Sequence, residues 1–140
     1  MRINFVVEGK PFGKKSVRTT RQGWSYMPKE NTDYKARVIQ AFREKYKNVK
    51  FDGKKPLYVE ITAKFEMPQS ASQKTQAAMI DGSILPTVKP DSDNIVKMIL
   101  DSLNKVAYED DKQVVLHVCR KMYGIKPEVI IFISDEVIFN

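Results

Sequence analysis

Residues 57–65 read Leu-Tyr-Val-Glu-Ile-Thr-Ala-Lys-Phe, and this stretch decides the fold class. Apolar side chains stand at every second position, and mostly polar ones stand between them. This period of two is typical of a strand that buries one face and exposes the other. Because the buried face needs a second layer packed against it, the stretch predicts a sheet covered on one side.

A helix that can supply this layer is predicted for residues 91–103. Asp91 or Ser92 is suited to cap its N-terminus, and apolar residues cover well over half of its circumference up to about Leu103. The helix should therefore be largely buried. It keeps one narrow polar strip, which consists of Asp93, Asn94, Lys97 and Asp101.

The remaining pattern completes the predicted fold. A second amphipathic helix is predicted to begin at Asn31 or Thr32 and to continue to Tyr46. Further predicted elements are strands at 3–7, 114–118 and 128–134, a hairpin connector at 123–127, a loop or irregular hairpin at 12–26, and a short surface helix within 69–78 that ends at Asp81-Gly82. The order predicts an α/β fold, more narrowly an α+β two-layer sandwich with a small, mostly antiparallel sheet packed with two main helices. We expect one domain over residues 1–140.

Composition excludes several classes of protein. Nothing in the sequence approaches the roughly 18 consecutive apolar residues of a membrane span, and the basic, polar N-terminus is no signal peptide. The single cysteine, Cys119, excludes an internal disulfide and a cysteine-rich zinc site. We expect a soluble cytoplasmic protein with no membrane partner.

The charge is unevenly spread along the chain, which has a formal net charge of +7. Residues 10–55 hold fourteen bases and four acids, whereas residues 89–112 hold six acids and four bases. A basic body around an acidic centre suits a phosphate backbone delivered to metal-bound carboxylates. Charge alone leaves equally open a basic protein without a nucleic-acid partner.

The acidic centre consists of two pairs, Asp91 with Asp93 and Asp110 with Asp111. Neighbouring carboxylates repel one another, and each resists ionising beside another. A bound cation relieves this repulsion, and carboxylate oxygens are the ligands that Mg²⁺ and Mn²⁺ prefer. Taken alone, each pair is better explained by a helix cap or a turn than by a metal site.

Spacing alone does not bring the two pairs together. The first pair begins the helix and the second follows its end, and a dozen residues at about 1.5 Å each separate the ends by roughly 15–18 Å. Either the link at residues 105–109 runs back along the helix, or a second protomer supplies the other pair.

Three short segments form one pattern around these acids. They read Pro90-Asp91-Ser92-Asp93-Asn94-Ile95-Val96-Lys97, then Asp101-Ser102-Leu103-Asn104, then Tyr108-Glu109-Asp110-Asp111-Lys112-Gln113-Val114. This pattern resembles the signature of the RusA-type Holliday junction resolvases, most strongly over residues 86–115. Residues 9–29 also resemble the basic N-terminal segment of that family. Its members are small homodimeric endonucleases, often carried by phages and prophages.

The resemblance implies a specific site and activity. Asp91, Asp93 and Asp111 would be the metal-binding catalytic carboxylates, and Lys97 an essential basic residue beside them. The implied cofactor is Mg²⁺, with Mn²⁺ as the alternative, and the implied substrate is a four-way DNA junction cut by paired symmetric nicks. No small-molecule substrate is expected. Many relatives carry glycine where Lys105 stands here, so we expect the preceding asparagine to adopt the left-handed conformation instead.

Basic residues outside the motif are candidates for phosphate contacts. They are Lys14, Lys15, Arg18, Arg21, Lys29, Lys74 and Lys89. Trp24 and Tyr26 either stack on exposed bases of the DNA or anchor their loop to the body. Residues 69–88 form either a flap that contacts DNA or a plain surface excursion.

Two other functions are consistent with the sequence. A non-catalytic protein that binds junctions or duplex DNA would use the basic surface but would not need Asp91, Asp93 and Asp111. A metal nuclease that acts on flaps or other branched DNA would use both the basic surface and these three carboxylates. A phosphatase or glycosyltransferase would need its D-x-D motif after an apolar strand in a larger fold, and here Lys89-Pro90 precedes it.

Overall fold

Residues 1–136, which the computed structural model describes, form a four-stranded mixed sheet, a separate two-stranded hairpin and three α-helices. The strands are β1 (Arg2–Glu8), β2 (Arg18–Thr19), β3 (Ser25–Tyr26), β4 (Leu57–Glu66), β5 (Val114–Gly124) and β6 (Glu128–Ser134). The helices are α1 (Lys29–Lys45), α2 (Gln73–Ile80) and α3 (Ser92–Leu103). The predicted α+β fold is confirmed, and β4 alternates buried and half-buried residues as its sequence indicates.

The strands of the main sheet lie in the order β1-β6-β4-β5. β6 pairs antiparallel with β1 and β4, whereas β5 pairs parallel with β4. The predicted hairpin at residues 123–127 is therefore wrong, because β4 lies between β5 and β6. Burial explains this order. β6 carries the fully buried Val129, Ile131 and Ile133, which suit an interior strand, whereas β5 has several exposed residues and takes the edge.

α1 and α3 pack against each other and against the sheet, and their apolar faces join β1, β4 and β6 in the hydrophobic core. α3 begins after its cap residue Asp91 and ends at Leu103, as predicted. α1 begins at Lys29, directly after Pro28, and not at Asn31 or Thr32. Asn31 does not act as the cap because its buried side chain is bonded to the backbone of the preceding loop.

The predicted short helix is present as α2. It begins at Gln73, later than the start of the predicted segment at residue 69, and ends directly before Asp81. Ser72 caps it, since Ser72 Oγ accepts a hydrogen bond from the backbone N of Thr75 at 3.2 Å. Gly82 follows its end with a φ of 87°, as a glycine after a helix commonly does. Among residues 1–136, none of the helices has the length and apolar character that a membrane span requires.

Candidate active site

Asp91 and Asp93 lie together at the N-terminal end of α3. Asp91 is the N-cap residue, but its side chain makes no capping hydrogen bond, and both residues are exposed to solvent. The side chain of Asp93 is 70% exposed, and its Oδ2 lies 3.9 Å from Nζ of Lys97 on the next turn. The carboxylate oxygens at this end are therefore accessible to a ligand that approaches from solvent.

An open cavity of about 970 Å³ lies beside Asp91. Its walls are the N-terminal loop from Lys10 to Lys15, the end of β4 with the residues that follow it, and the segment from Val88 to Asp91. Four lysines and two acids line it, namely Lys10, Lys14, Lys15, Lys89, Glu66 and Asp91. We call this cavity the lysine groove. Its excess of positive charge next to a carboxylate suits a bound phosphate backbone.

The N-terminal wall of the lysine groove is held against α3. The backbone N of Lys14 donates a hydrogen bond to the carbonyl oxygen of Asn94 at 3.0 Å, and the Lys14 ammonium forms an ion pair with Asp101. Gly13 approaches the start of α3 so closely that an added Cβ would lie 2.7 Å from Cβ of Pro90. The loop therefore lies against the start of α3, and the Lys14 side chain extends from it along the polar strip to Asp101.

Asn31 holds the same loop from the other side. Its Oδ1 accepts a hydrogen bond from the backbone N of Lys15 at 2.9 Å, and its Nδ2 donates to the Lys15 carbonyl at 2.8 Å. Because Asn31 is only 3% exposed, both bonds are shielded from water. Sequence reasoning missed this residue because an asparagine near a helix start is indistinguishable from a cap by sequence alone.

The predicted phosphate-binding residues are of two kinds. Lys14 has an intramolecular partner in Asp101, and Nζ of Lys15 lies 3.6 Å from Oε1 of Glu30. The others are exposed on the loop hairpin, the start of α1, α2 and the edge of the lysine groove, and they are Arg18, Arg21, Lys29, Lys74 and Lys89.

The second acid pair lies at the opposite end of α3. Asn104 follows the helix, and its Oδ1 accepts a hydrogen bond from the backbone N of Asp111 at 3.1 Å. Tyr108 is fully buried and donates from its hydroxyl to the carbonyl oxygen of Leu100 at 2.6 Å. The chain therefore turns tightly at the end of α3, and the link does not return along the helix towards Asp91.

Gln113 organises this turn. Its buried side chain accepts, at Oε1, hydrogen bonds of 3.0 Å from the backbone N atoms of Glu109 and Asp110. Its Nε2 donates to the carbonyl oxygens of Asp52 at 2.8 Å and Lys55 at 3.0 Å. Sequence reasoning assigned no role to Gln113, because two of its partners lie in a loop far away along the chain.

The neighbouring carboxyls of Asp110 and Asp111 differ in their tendency to ionise. A hydrogen bond from the backbone N of Lys112 lowers the pKa of Asp110. Partial burial, followed by the hydrogen bond and charge of Asp110, raises the pKa of Asp111, and the nearby Asp101 adds to this effect. Asp110 therefore ionises first, and a bound cation would relieve the repulsion mainly at Asp111.

Lys105 adopts the left-handed conformation, with a φ of 64°. The expectation that Asn104 would do so is wrong, because Asn104 is extended, with φ −60° and ψ 127°. The bond from the Asp111 backbone holds Asn104 in place, and the turn therefore falls on the next residue.

One protomer does not bring the three predicted metal ligands together. α3 contains twelve residues. At about 1.5 Å per residue, its ends lie roughly 18 Å apart. Asp91 and Asp93 stand at one end and Asp111 at the other. Over residues 1–136, no three Asp, Glu, His or Cys side chains lie close enough together to hold one metal ion.

Comparison with known proteins identifies the family. The sequence profile described as Endodeoxyribonuclease RusA matches residues 8–134, which is most of the chain. The protein belongs to the RusA family. A RusA-family chain is expected to cut DNA internally, since the family is one of endodeoxyribonucleases. The chain is also similar to the uncharacterized protein YqaN of Bacillus subtilis (strain 168), with 31% identity over 138 residues that cover 95% of this chain and 96% of the relative.

In this member of the RusA family, the motif residues divide by environment. Asp91, Asp93 and Lys97 are exposed at the start of α3, where they are free to meet a ligand. Asp101 and Gln113 are engaged in contacts that hold the N-terminal loop and the turn after α3. The motif therefore combines residues suited to chemistry with residues that position them.

Proposed function

We propose that the protein is a divalent-metal-dependent endonuclease that resolves four-way DNA junctions by paired symmetric nicks, as a homodimer, in DNA recombination and repair. The observation that carries this proposal is the exposed pair Asp91 and Asp93 at the N-terminal end of α3, of which Asp91 lines the lysine groove, in a RusA-family chain.

Asp91, Asp93 and Asp111 are the residues that would hold Mg²⁺, or Mn²⁺ in its place, because carboxylate oxygens are the preferred ligands of both ions. The bound ion would lower the pKa of a water molecule and offset the charge that develops on the scissile phosphate. Lys97, whose side chain is 63% exposed beside Asp93, would bind an oxygen of the same phosphate and stabilise that charge directly.

A second protomer would complete the ligand set. The tight turn after α3 keeps Asp111 about one helix length, roughly 18 Å, from Asp91 within a protomer. In a two-fold symmetric dimer, the Asp91 end of one protomer can face the Asp111 end of its partner, and symmetry then creates two equivalent sites. Two such sites match the two opposed strands that a junction resolvase must cut.

The basic surface would hold the DNA arms. The lysine groove leads a phosphate backbone to Asp91, while Arg18, Arg21 and Lys74 lie exposed outside it. If each protomer neutralises about six phosphates, affinity should fall by about a thousandfold between 50 and 200 mM salt. This salt dependence is expected for linear duplex as well as for junctions, because both substrates present phosphates that release counterions when they are neutralised.

The proposal is tested by comparing wild type with Asp91→Asn on a labelled four-way junction, a linear duplex and a flap, in Mg²⁺ and in EDTA. We expect symmetric nicks in the junction alone, in Mg²⁺ alone, and no nicks by Asp91→Asn although it still binds. Asp33→Asn is the matched control, because it makes the same change at an exposed position of α1. Binding without cleavage in any metal would identify a binding protein, and equal cleavage of the flap would identify a different branched-DNA nuclease.

The shared site has its own test. Asp91→Asn and Asp111→Asn chains with different tags are co-expressed, and the mixed dimer is purified. If the site is shared, the unchanged Asp91 of one chain meets the unchanged Asp111 of the other, so each dimer has one intact site. We then expect nicking of one strand to return, although each variant alone is inactive. If each protomer holds a complete site, the mixed dimer has two damaged sites and nicks neither strand.

A further inference from the structure

The hairpin of β2 and β3 stands apart from the rest of the fold. Its two strands pair only with each other, in a sheet separate from the main one. The turn between them is ordered by hydrogen bonds from Thr20 N to the Trp24 carbonyl at 2.8 Å and from Trp24 N to Thr20 Oγ1 at 3.2 Å. Gly23 supplies the positive φ of 83° that this turn requires. The backbone of Trp24 is therefore held in a defined position.

The aromatic side chains of this hairpin are exposed. Trp24 is 74% exposed and Tyr26 is 48% exposed. An aromatic ring that anchored the hairpin to the body would be largely buried, so the structure excludes that interpretation for Trp24. An indole ring held in water by an ordered turn offers a large apolar face to a partner.

The charge around the hairpin indicates the chemistry of that partner. Residues 10–29 contain six lysines and arginines and no acid. Arg18 and Arg21 are both exposed on the hairpin itself, within a few residues of Trp24. A partner that is complementary to both the arginines and the indole ring must carry negative charge and a flat apolar face side by side. Unpaired nucleotides combine a phosphate with an exposed base face, whereas stacked duplex DNA offers the phosphate alone.

The base of the hairpin is attached to the candidate active site. Its first strand continues from the loop that forms one wall of the lysine groove. That loop is fixed by Asn31, which bonds both backbone groups of Lys15, and by Lys14, which bonds Asn94 on α3. The hairpin that carries Trp24 is therefore joined to the groove by a loop that is fixed to both α1 and α3.

We propose that Trp24 stacks on an unpaired base of branched DNA, and that this contact gives the protein its preference for branch points over linear duplex. The inference rests on the proposed function for its substrate, but it concerns binding and not cleavage.

Trp24 is the only tryptophan in the chain, so its fluorescence reports this contact directly. The wild-type protein is titrated in EDTA with a four-way junction, with linear duplex of the same sequence and with a short oligothymidine. Fluorescence anisotropy of labelled DNA gives the bound fraction in parallel. We expect strong quenching by junction and oligothymidine, and little quenching by duplex at the same bound fraction. Equal quenching by duplex, or bound junction without quenching, would overturn the proposal.

Two substitutions separate stacking from charge. Trp24→Ala should weaken junction binding about tenfold or more, as expected for loss of one stacked base, and leave duplex binding unchanged. Trp24→Phe should retain most of the affinity for the junction. Arg21→Ala is the control, because loss of a phosphate contact weakens junction and duplex equally. If Trp24→Ala instead weakens both substrates equally, the residue does not read unpaired bases.

The outcome is independent of the nuclease test. Quenching without any cleavage in Mg²⁺ would leave the Trp24 contact in place and remove the proposed enzymatic function. Cleavage without quenching would support the proposed enzymatic function and would overturn the Trp24 contact.

Discussion

The side chain of Asn104 and the backbone of Asp111 are joined by a hydrogen bond of 3.1 Å. This bond places Asp111 at the C-terminal end of the helix whose N-cap residue is Asp91. The two acid pairs of the motif are therefore held at opposite ends of one rigid element. Their separation depends on helix length and not on a flexible loop, so a partner protomer would meet both ends in a fixed geometry.

Replacing Asn104 with alanine tests this anchor. Asn104→Ala leaves the backbone N of Asp111 without its acceptor, so we expect a loss of about 1–2 kcal/mol in the free energy of unfolding. Nicking of the junction should fall by more than tenfold, because Asp111 is no longer held in place. Urea denaturation and single-turnover nicking are the measurements, and Asn48→Ala, at an exposed turn, is the control. Unchanged nicking would show that the anchor has no part in activity.

Gly13→Ala tests the contact between the N-terminal loop and α3. The new Cβ would lie 2.7 Å from Cβ of Pro90, whose ring cannot move aside as a flexible side chain can. We expect a loss of about 1–3 kcal/mol in stability from overpacking. We also expect weaker junction binding, because the wall of the lysine groove is displaced.

Gly53→Ala is the control for this change, since its Cβ would meet only the side chain of Glu109, at 3.1 Å. It should affect stability less and leave junction binding unchanged. Equal binding by wild type and Gly13→Ala would contradict the role assigned to the loop.

Lys105→Gly is expected to stabilise the protein. A lysine at a φ of 64° is strained by about 1–2 kcal/mol relative to its ordinary conformations. Glycine removes this strain, but its greater conformational freedom in the unfolded state lowers the free energy of unfolding by about 0.5–1 kcal/mol. We therefore expect a net gain in the free energy of unfolding of about 0.5–1 kcal/mol. Lys105→Ala removes the same charge without relieving the strain and should bring no gain. A thermal melt of the three proteins distinguishes these outcomes, and equal gains would point to charge as the cause.

The contact of Glu60 with Arg120 predicts a pH dependence. Hydrogen bonds from Arg120 and from the hydroxyl of Tyr58, the latter at 2.9 Å, lower the pKa of Glu60 in the folded state. Since the folded pKa lies below the unfolded value, near 4.5, the stabilisation is present above that pH and is lost as pH falls. Both side chains are partly exposed, so the contribution at pH 7 should be below about 1 kcal/mol.

The test is urea denaturation of wild type and Glu60→Gln between pH 7 and pH 3. The difference in unfolding free energy should be constant above about pH 5 and shrink below the unfolded pKa of Glu60. Arg120→Gln should show the same pattern, and the double variant should lose no more than either single one. A difference that grows towards acid pH would contradict the assignment.

Local pattern predicts much of this protein. The alternation of residues 57–65 predicts β4, and the apolar circumference of residues 91–103, with Asp91 as cap, predicts α3 with its observed ends. The motif around Asp91 and Asp111 indicates the family that the comparison then shows. These features are accessible because strand periodicity, helix capping and motif spacing each depend on residues only a few positions apart.

Residues distant along the chain decide the rest. The hairpin predicted at residues 123–127 is absent because β4, about sixty positions earlier, lies between β5 and β6. Lys14 reaches Asp101, and Gln113 binds the carbonyls of Asp52 and Lys55, although no sequence pattern joins these residues. The start of α1 also involves such a contact. The side chain of Asn31 accepts a hydrogen bond from the backbone N of Lys15 and does not cap the helix, which begins at Lys29.

The sequence by itself determined the type of each main element, the basic and acidic division of the chain, and the identity of its motif. Only the tertiary structure decided that the two acid pairs stand at opposite ends of α3 and that Trp24 is exposed on an ordered hairpin. The physical reason is that side-chain periodicity is a property of neighbouring residues. The position of one element relative to another is instead set by burial and hydrogen bonds between residues that are far apart in the chain.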